Sequence, residues 1–285
     1  MPRFDASQIR GYYDKQTAGF VALGQGGGGG FIHRAVWGPG VADRAQAFHF
    51  VEDSIAKVAR DRSATPGSGE PPHVVDLGCG VGGSLTYLAS VMPMRGTGLT
   101  LSPVQARLAH GRIEALRLSD RIRCIEADYT EIPSSVAPAD VAFAIESFVH
   151  GPSAVAFFQA CARLVRPGGW LVICDDVLRA ATGARAQRAV EQFRRGWHVN
   201  TLLTHDELIA EARAAGFAHE GTTNLTPWLE LGRPRDRAIA VFVAVFGWLP
   251  LERTPVGHVV GGSALQTCLA RGWIAYELTR FQKLT

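Results

Sequence analysis

The segment His73-Val-Val-Asp-Leu-Gly-Cys-Gly-Val-Gly-Gly-Ser84 constrains the fold more than any other part of this 285-residue chain. An apolar run, Val74-Val75, ends in an acid, Asp76; glycines follow at 78, 80 and 82, then apolar residues at helical spacing, Leu85, Leu88 and Ala89. This is the pattern of a buried parallel strand entering a helix through a tight turn. Glycine takes the positive-φ conformations such a turn needs and lets the backbone approach a ligand closely. The helix that starts there points unpaired N–H groups at the same space, which suits a nucleotide-like ligand. Asp76 lies before the glycines, inside the strand end, whereas dinucleotide fingerprints carry their acid about twenty residues later.

Downstream of this turn, strand and helix patterns alternate. Strands are expected at 73–77, 96–100, 122–126, 140–145 and 169–175, and helices at 83–92, 103–117, 153–165 and 186–195. Thr204-His-Asp-Glu207 has the form of a capping box opening a helix over 204–215, which Gly216 ends. Alternation of this kind builds a parallel sheet with helices on both faces. The late apolar segments 217–224 and 273–281 are expected to pair as antiparallel strands, and 226–270 between them, too long for a loop, is expected to add helices over the ligand-binding edge. Before the sheet, Ala42–Arg60 has helical spacing (Ala47, Val51, Ile55, Val58), the run Gly24–Gly30 suits a loop and hinge, and 62–72 suits a linker. The chain thus divides into a helical N-terminal extension, 1–60, and a larger α/β unit, 73–285.

Composition narrows the function classes. A net charge of +3, with dispersed arginines, gives no argument for nucleic acid. Five cysteines at 79, 124, 161, 174 and 268 are odd in number and form no Cys-x-x-Cys pair, so they read as small buried hydrophobes, with neither a zinc site nor a disulfide framework. Met1–Ala6 lacks the apolar core of a signal peptide, and the longest apolar run, Ile239–Leu251, is too short to span a bilayer. A cytoplasmic protein without a membrane span is expected, and the apolar extension and tail are compatible with a homo-oligomer.

The Asp-x-Gly-x-Gly form resembles the first motif of class I S-adenosylmethionine (SAM) methyltransferases. The resemblance implies a Rossmann-like α/β fold, a seven-stranded sheet that is mostly parallel with its last strand antiparallel. It also implies SAM held by Asp76, Gly78, Cys79 and Gly80. Gly96-Thr-Gly-Leu-Thr-Leu-Ser-Pro-Val-Gln105 has Thr100 where NAD-binding strands carry an acid for the ribose. It is similar instead to the Gly-x-Thr-Leu-Ser-Pro-x-Gln segment of small-molecule methyltransferases, which implies roles for Thr100, Leu101 and Gln105 near the ribose. Glu126-Ala-Asp-Tyr-Thr-Glu-Ile-Pro133 reads alone as a turn past the third strand; in register with the first two motifs, the resemblance implies that Asp128 accepts from the adenine amino group with Tyr129 beside it. Leu164–Ile173 is similar to the family's Pro-Gly-Gly turn into the fifth strand.

The acceptor is addressed by Asp140-Val-Ala-Phe-Ala-Ile-Glu-Ser-Phe-Val-His150, which puts Glu146 where the fourth strand emerges. Ile-Glu-Ser-x-x-His resembles the Glu-bearing segment of the sterol, tocopherol and geranyl diphosphate C-methyltransferases. An alkene that takes up a methyl cation becomes a carbocation, so an anion to stabilise it and a base to deprotonate it suit that place. Glu146 can do both, with His150 as helper; equally, Glu146 could contact SAM or cap a helix, and His150 could be structural. Tyr12-Tyr-Asp14 and Gly30-Phe-Ile-His-Arg-Ala-Val-Trp-Gly38 resemble the lid of the geranyl diphosphate enzymes. That likeness implies Tyr13 near SAM and Tyr12, Phe31, His33, Trp37, Phe148, Trp197 and Trp228 around the acceptor. The expected function is C-methylation of an isoprenoid alkene in secondary metabolism, the acceptor a prenyl diphosphate (with Mg2+) or a prenylated natural product. The alternative is an O- or N-methyltransferase with His150 or His33 as base.

Overall fold

The computed structural model describes residues 2–23, 32–63, 70–234, 236, 239 and 257–285. The first strand, β1 (His73–Leu77), is buried along its whole length, the polar residues His73 and Asp76 included, as a central strand with parallel neighbours on both sides requires. It is flanked by β2 (Arg95–Thr100) and β4 (Ala139–Ile145), both parallel to it. Outside these lie β3 (Ile122–Glu126) and β5 (Val165–Leu178), also parallel. The last strand in sequence, β7 (Ile274–Lys283), runs antiparallel between β5 and β6 (Phe217–Asn224), giving the seven-stranded order β3-β2-β1-β4-β5-β7-β6. This is the expected sheet, including its single reversed strand.

The crossover helices follow local signals. α3 (Gly83–Val91) starts after Gly82 at φ 78°; α4 (Pro103–Ala115) has Pro103 in its first turn and Ser102 accepting from the Gln105 amide. α5 (Ala154–Leu164) is capped by Ser153, α6 (Ala184–Gly196) follows β5, and α7 (His205–Ala214) carries the Thr204–Glu207 capping box. β5 extends beyond the expected 169–175 at both ends: Val165 pairs with Ala139 of β4, and β7 pairs with β5 continuously from Trp170 to Leu178. Long-range pairing of this kind leaves no mark in local propensity.

The N-terminal extension contains α1 (Ala6–Leu23) and α2 (Arg44–Ser63), joined in part by an extended stretch in which Val36 bridges Leu229. That bridge, with Pro227 in a short 3-10 turn at Thr226–Trp228, explains why the start of the 226–270 segment is not helical; its end is, as α8 (Gly257–Ala270). The Gly24–Gly30 run expected as a hinge, and Phe31 with it, lie outside the described residues. α1 is fastened across the carboxyl ends of the strands: Ser102 Oγ donates to Asp14, Gln105 Nε2 donates to Thr17 Oγ1, and Phe4 and Asn200 bond reciprocally. All five cysteines are buried and free, and no described helix is long and apolar enough to cross a membrane.

Candidate active site

Beneath α1, at the carboxyl ends of β1, β2 and β4 and past the end of β3, lies a cavity of about 630 Å³. Ligands of open parallel sheets bind at this edge. The first wall is the glycine turn. Gly78 has φ 116°, and a Cβ there would come 2.4 Å from Ser147 Cβ, so both conformation and packing demand glycine. Asp76 is buried on this wall, and its carboxylate makes no hydrogen bond to any described residue. Burial and the nearby Glu52 push its pKa well up, so a cationic group arriving beside it would be strongly favoured.

The second wall is the β2–α4 turn. Thr100, Leu101, Ser102 and Gln105 all line the cavity, but the Gln105 side chain is engaged, its Oε1 accepting from Thr100 and its Nε2 donating to Thr17 of α1. The third wall carries Asp128, whose Oδ1 accepts from Thr130, and Tyr129, whose hydroxyl donates to the Ser147 carbonyl. Asp128 Oδ2 makes no bond to a described residue, so it can still accept from a ligand amine.

The fourth wall holds Glu146 and the groups around it. Glu146 sits at φ 50°, a left-handed conformation costly for a residue with a side chain, and its N–H donates to the Cys174 carbonyl. Its Oε1 accepts three bonds: from the Arg34 amide (2.8 Å), Arg34 Nε (3.0 Å) and the Tyr276 hydroxyl (3.0 Å). Its Oε2 has no partner among the described residues. Burial raises the Glu146 pKa, but Arg34 and then His33 outweigh it and hold the carboxyl below its ordinary value. Arg34 lies 4.1 Å over the Tyr276 ring and reaches on to a two-pronged pair with Asp176, each contact 2.8 Å.

The two histidines occupy opposite protonation states. His150 Nδ1 faces the His198 carbonyl at 3.2 Å, so it carries the proton; Nε2 then accepts from the Tyr13 hydroxyl at 2.8 Å. Burial depresses its pKa to about 4. His33 Nε2 meets the fully buried Glu52 at 2.7 Å; burial opposes its charge, but Glu52 overrides that and raises its pKa to about 9. Ser84, at the start of α3, donates to the same Glu52 oxygen.

Of the expected acceptor residues, Tyr12, His33 and Trp197 line the cavity. Phe148, Trp37 and Trp228 do not: Phe148 packs edge-on against Phe157 in the core, Trp37 packs with the Ala35–Phe48 cluster, and Trp228 meets Phe50. Their aromatic character serves packing, the commoner use of such residues. Sequence reasoning missed Arg34 as the anchor of Glu146, together with Tyr276, Asp176 and Glu52, whereas the helical wall expected from 226–270 is present as α8, though its lining residues (Val259, Ser263, Leu265, Gln266, Leu269) were not singled out. Only the adjacency of Arg34 to His33 in the lid-like segment hinted at the first.

Such a sheet, with a glycine turn after β1 and the acids Asp76, Asp128 and Glu146 at the carboxyl ends of β1, β3 and β4, is the architecture of the Rossmann-like methyltransferases. Residues 74–169 match the model of a methyltransferase domain. An O-methyltransferase of Pyrenophora dematioidea is 30% identical over 188 residues, 66% of this chain and 68% of that protein. Among solved structures, the [4+2]-cyclase SpnF superposes with a TM-score of 0.73 at 22% identity, covering 98% of this chain and 96% of that one. A geranyl diphosphate C-methyltransferase from Streptomyces coelicolor A3(2) superposes with a TM-score of 0.70 at 18% identity over 100% of both chains. The chain belongs to the SAM-dependent methyltransferase family.

Proposed function

We propose that this enzyme methylates an alkene carbon of an isoprenoid, with Glu146 stabilising and then deprotonating the cation that results. SAM supplies the methyl group from its sulfonium. We place its amino-acid end at the Asp76–Gly80 turn, its ribose at Thr100–Gln105 and its adenine at Asp128–Tyr129. The unpartnered Asp76 carboxylate supports the first of these, since it is a buried acceptor waiting for a cationic amine. The Thr100 and Gln105 side chains are bonded to one another, which leaves Leu101 and the backbone of this turn as the ribose contacts.

The observation that carries the reading is the state of Glu146: ionised, facing the cavity, tied through one oxygen and open at the other. In the proposed step the alkene π pair forms the new C–CH3 bond as the methyl–sulfur bond breaks, leaving positive charge on the neighbouring carbon. Glu146 Oε2 then takes a proton from an adjacent carbon, and that C–H pair becomes the new double bond. Both histidines are poorly placed to be that base, His33 being protonated and His150 already accepting from Tyr13. α1 excludes water from the cation, as methyl transfer requires.

Ile9, Ile32, Ile145, Leu265, Leu269 and Trp197 offer an apolar surface to the acceptor. The described lining carries five carboxylates (Asp5, Asp76, Asp128, Glu146, Asp236), while its cations His33 and Arg34 are already paired. Among the described residues no group of three or more His, Cys, Asp or Glu is arranged to hold a metal. Since Glu146 and Asp236 are themselves paired with Arg34 and Arg233, no unpaired cation remains in the described lining for a diphosphate, which supports a prenyl chain on a neutral natural product as the acceptor. A second reading, O-methylation, is favoured by the Tyr13–His150 bond: a substrate hydroxyl replacing that of Tyr13 would meet the same neutral Nε2.

Glu146→Gln separates them. With mass-spectrometric detection against prenylated aromatics, prenyl diphosphates and phenols, alkene methylation is expected to fall about 10²–10⁴-fold while S-adenosylhomocysteine binding by calorimetry persists. Near-normal turnover of that variant on a prenyl acceptor overturns the reading. Methylation confined to hydroxyls and abolished by His150→Ala establishes the second.

A further inference from the structure

We propose that Arg34 is the positioning residue of the methyl-transfer site, holding Glu146 by one oxygen so that the carboxylate meets the acceptor through Oε2 alone. This rests on the reading of Glu146 just given, and goes beyond it by assigning what sets that residue's geometry and charge. Three features of the structure carry it.

Arg34 contacts Glu146 Oε1 twice, by backbone amide and by Nε, so side chain and main chain fix the same oxygen. Its remaining fork is spent on Asp176, with NH1 to Oδ1 and NH2 to Oδ2, which prevents the guanidinium from swinging toward the acceptor. The Tyr276 ring lies under the guanidinium while its hydroxyl donates to that same Oε1. Oε1 is thus saturated, and the basic lone pairs available to the cavity belong to Oε2. The segment bearing Arg34 is itself fixed: Val36 bridges Leu229, its amide donates to the Ala47 carbonyl, and His33 is locked to Glu52.

The charge follows from the same contacts. The groups acting on Glu146 are Arg34 and His33 from the segment before α2, Tyr13 from α1, His150 after β4, Cys174, Asp175 and Asp176 from β5, and Tyr276 from β7. Tyr13, Cys174 and Tyr276 are held neutral by burial, and so is His150. The two aspartates oppose ionisation of Glu146, His33 assists from a distance, and only Arg34 combines a positive charge with direct contact. Without it, burial is the dominant influence and the carboxyl moves upward.

The test is the pH dependence of kcat for wild type, Arg34→Lys, Arg34→Met and the double variant Arg34→Met/Asp176→Asn, which leaves no unpaired aspartate behind. Removal of an opposite charge in direct contact is expected to move the acidic limb of the profile up by about 1–3 pH units, in both the single and the double variant. Lys, which keeps the charge but not the fork, should restore the limb partway at a lower plateau, with KM for SAM near wild type throughout. An acidic limb that stays in place in the Met variants while S-adenosylhomocysteine still binds overturns the proposal for Arg34. The same holds for a loss of that binding, which would assign Arg34 to the fold. The Glu146 reading fails separately, by the Glu146→Gln measurement above.

Discussion

The His33–Glu52 pair makes a stability prediction of definite sign. Glu52 has no solvent exposure, and its Oε1 receives both His33 and Ser84 while its Oε2 is buried without a partner. The folded protein therefore holds His33 protonated up to pH of about 9, whereas the unfolded chain releases that proton near 6.5. A pKa raised on folding contributes stability that is complete below 6.5 and is lost as pH climbs through 9. At about 1.4 kcal/mol per pH unit, the whole interval corresponds to about 3 kcal/mol. Between pH 6.5 and 8, before thiols and lysines enter, roughly 1–2 kcal/mol of it should disappear. His150 acts in the opposite sense: depressed to about 4, it remains neutral while the unfolded chain takes up a proton, so stability falls as pH drops below 6.5. For these two groups taken alone the stability maximum lies near pH 6.5, while the raised carboxyls of Asp76, Asp175 and Asp176 add their own decline as pH rises. The assay is urea unfolding by tryptophan fluorescence at half-unit pH steps from 5 to 8, for wild type and Glu52→Gln. In the variant the burial of His33 is no longer offset, its pKa falls, and the decline from 6.5 to 8 should become shallower by the His33 share while the acidic decline remains. Parallel curves for the two proteins across 6.5–8 would refute the assignment of charge to this pair.

Two further outcomes follow from single contacts. Gly78→Ala combines a φ of 116° with a Cβ 2.4 Å from Ser147 Cβ, so it should cost on the order of 1–3 kcal/mol from backbone strain alone and weaken S-adenosylhomocysteine binding at least about tenfold, as read by calorimetry; unchanged binding would show that the turn tolerates a side chain. Tyr13→Phe strips the donor from the buried His150 Nε2, so thermal unfolding should report a loss of about 1–3 kcal/mol, and a change of only a few tenths would show that the bond does not hold α1 in place.

The sheet was largely legible because its information is local. The central strands β4 and β5 carry apolar runs, β1 and β2 end in turn signals, and the α7 capping box or the Ser102-Pro103 entry to α4 can be read from four adjacent residues. What escaped is non-local. The C-terminal end of β5 is set by β7, about a hundred residues away, and the bridge between Val36 and Leu229 fixes an extended stretch at the start of the segment expected only to add helices. The aromatics show the same limit. Phe148 is two residues from Glu146, yet the 3-10 turn at 148–150 sends its ring into the Phe157–Phe158 core, while Trp197 reaches the cavity from a different element.

The site divides along the same line, and the division bears on chemistry. Positions of acids at strand ends can be read from sequence, since the topology brings Asp76, Asp128 and Glu146 to one edge. Their chemical states cannot, because each is set by partners distant in the chain: Arg34 lies 112 residues before Glu146, and Tyr13 lies 137 before His150. From sequence alone His150, His33 and Glu146 were all candidate bases. In the folded chain Glu52 keeps His33 charged and Tyr13 occupies the lone pair of His150, whereas Arg34 lowers the Glu146 pKa and leaves one oxygen open. A lowered pKa makes Glu146 a weak base, too weak to activate an ordinary hydroxyl but sufficient for a carbocation, whose adjacent protons are far more acidic. The same feature that disqualifies Glu146 for O-methylation therefore suits it to alkene methylation.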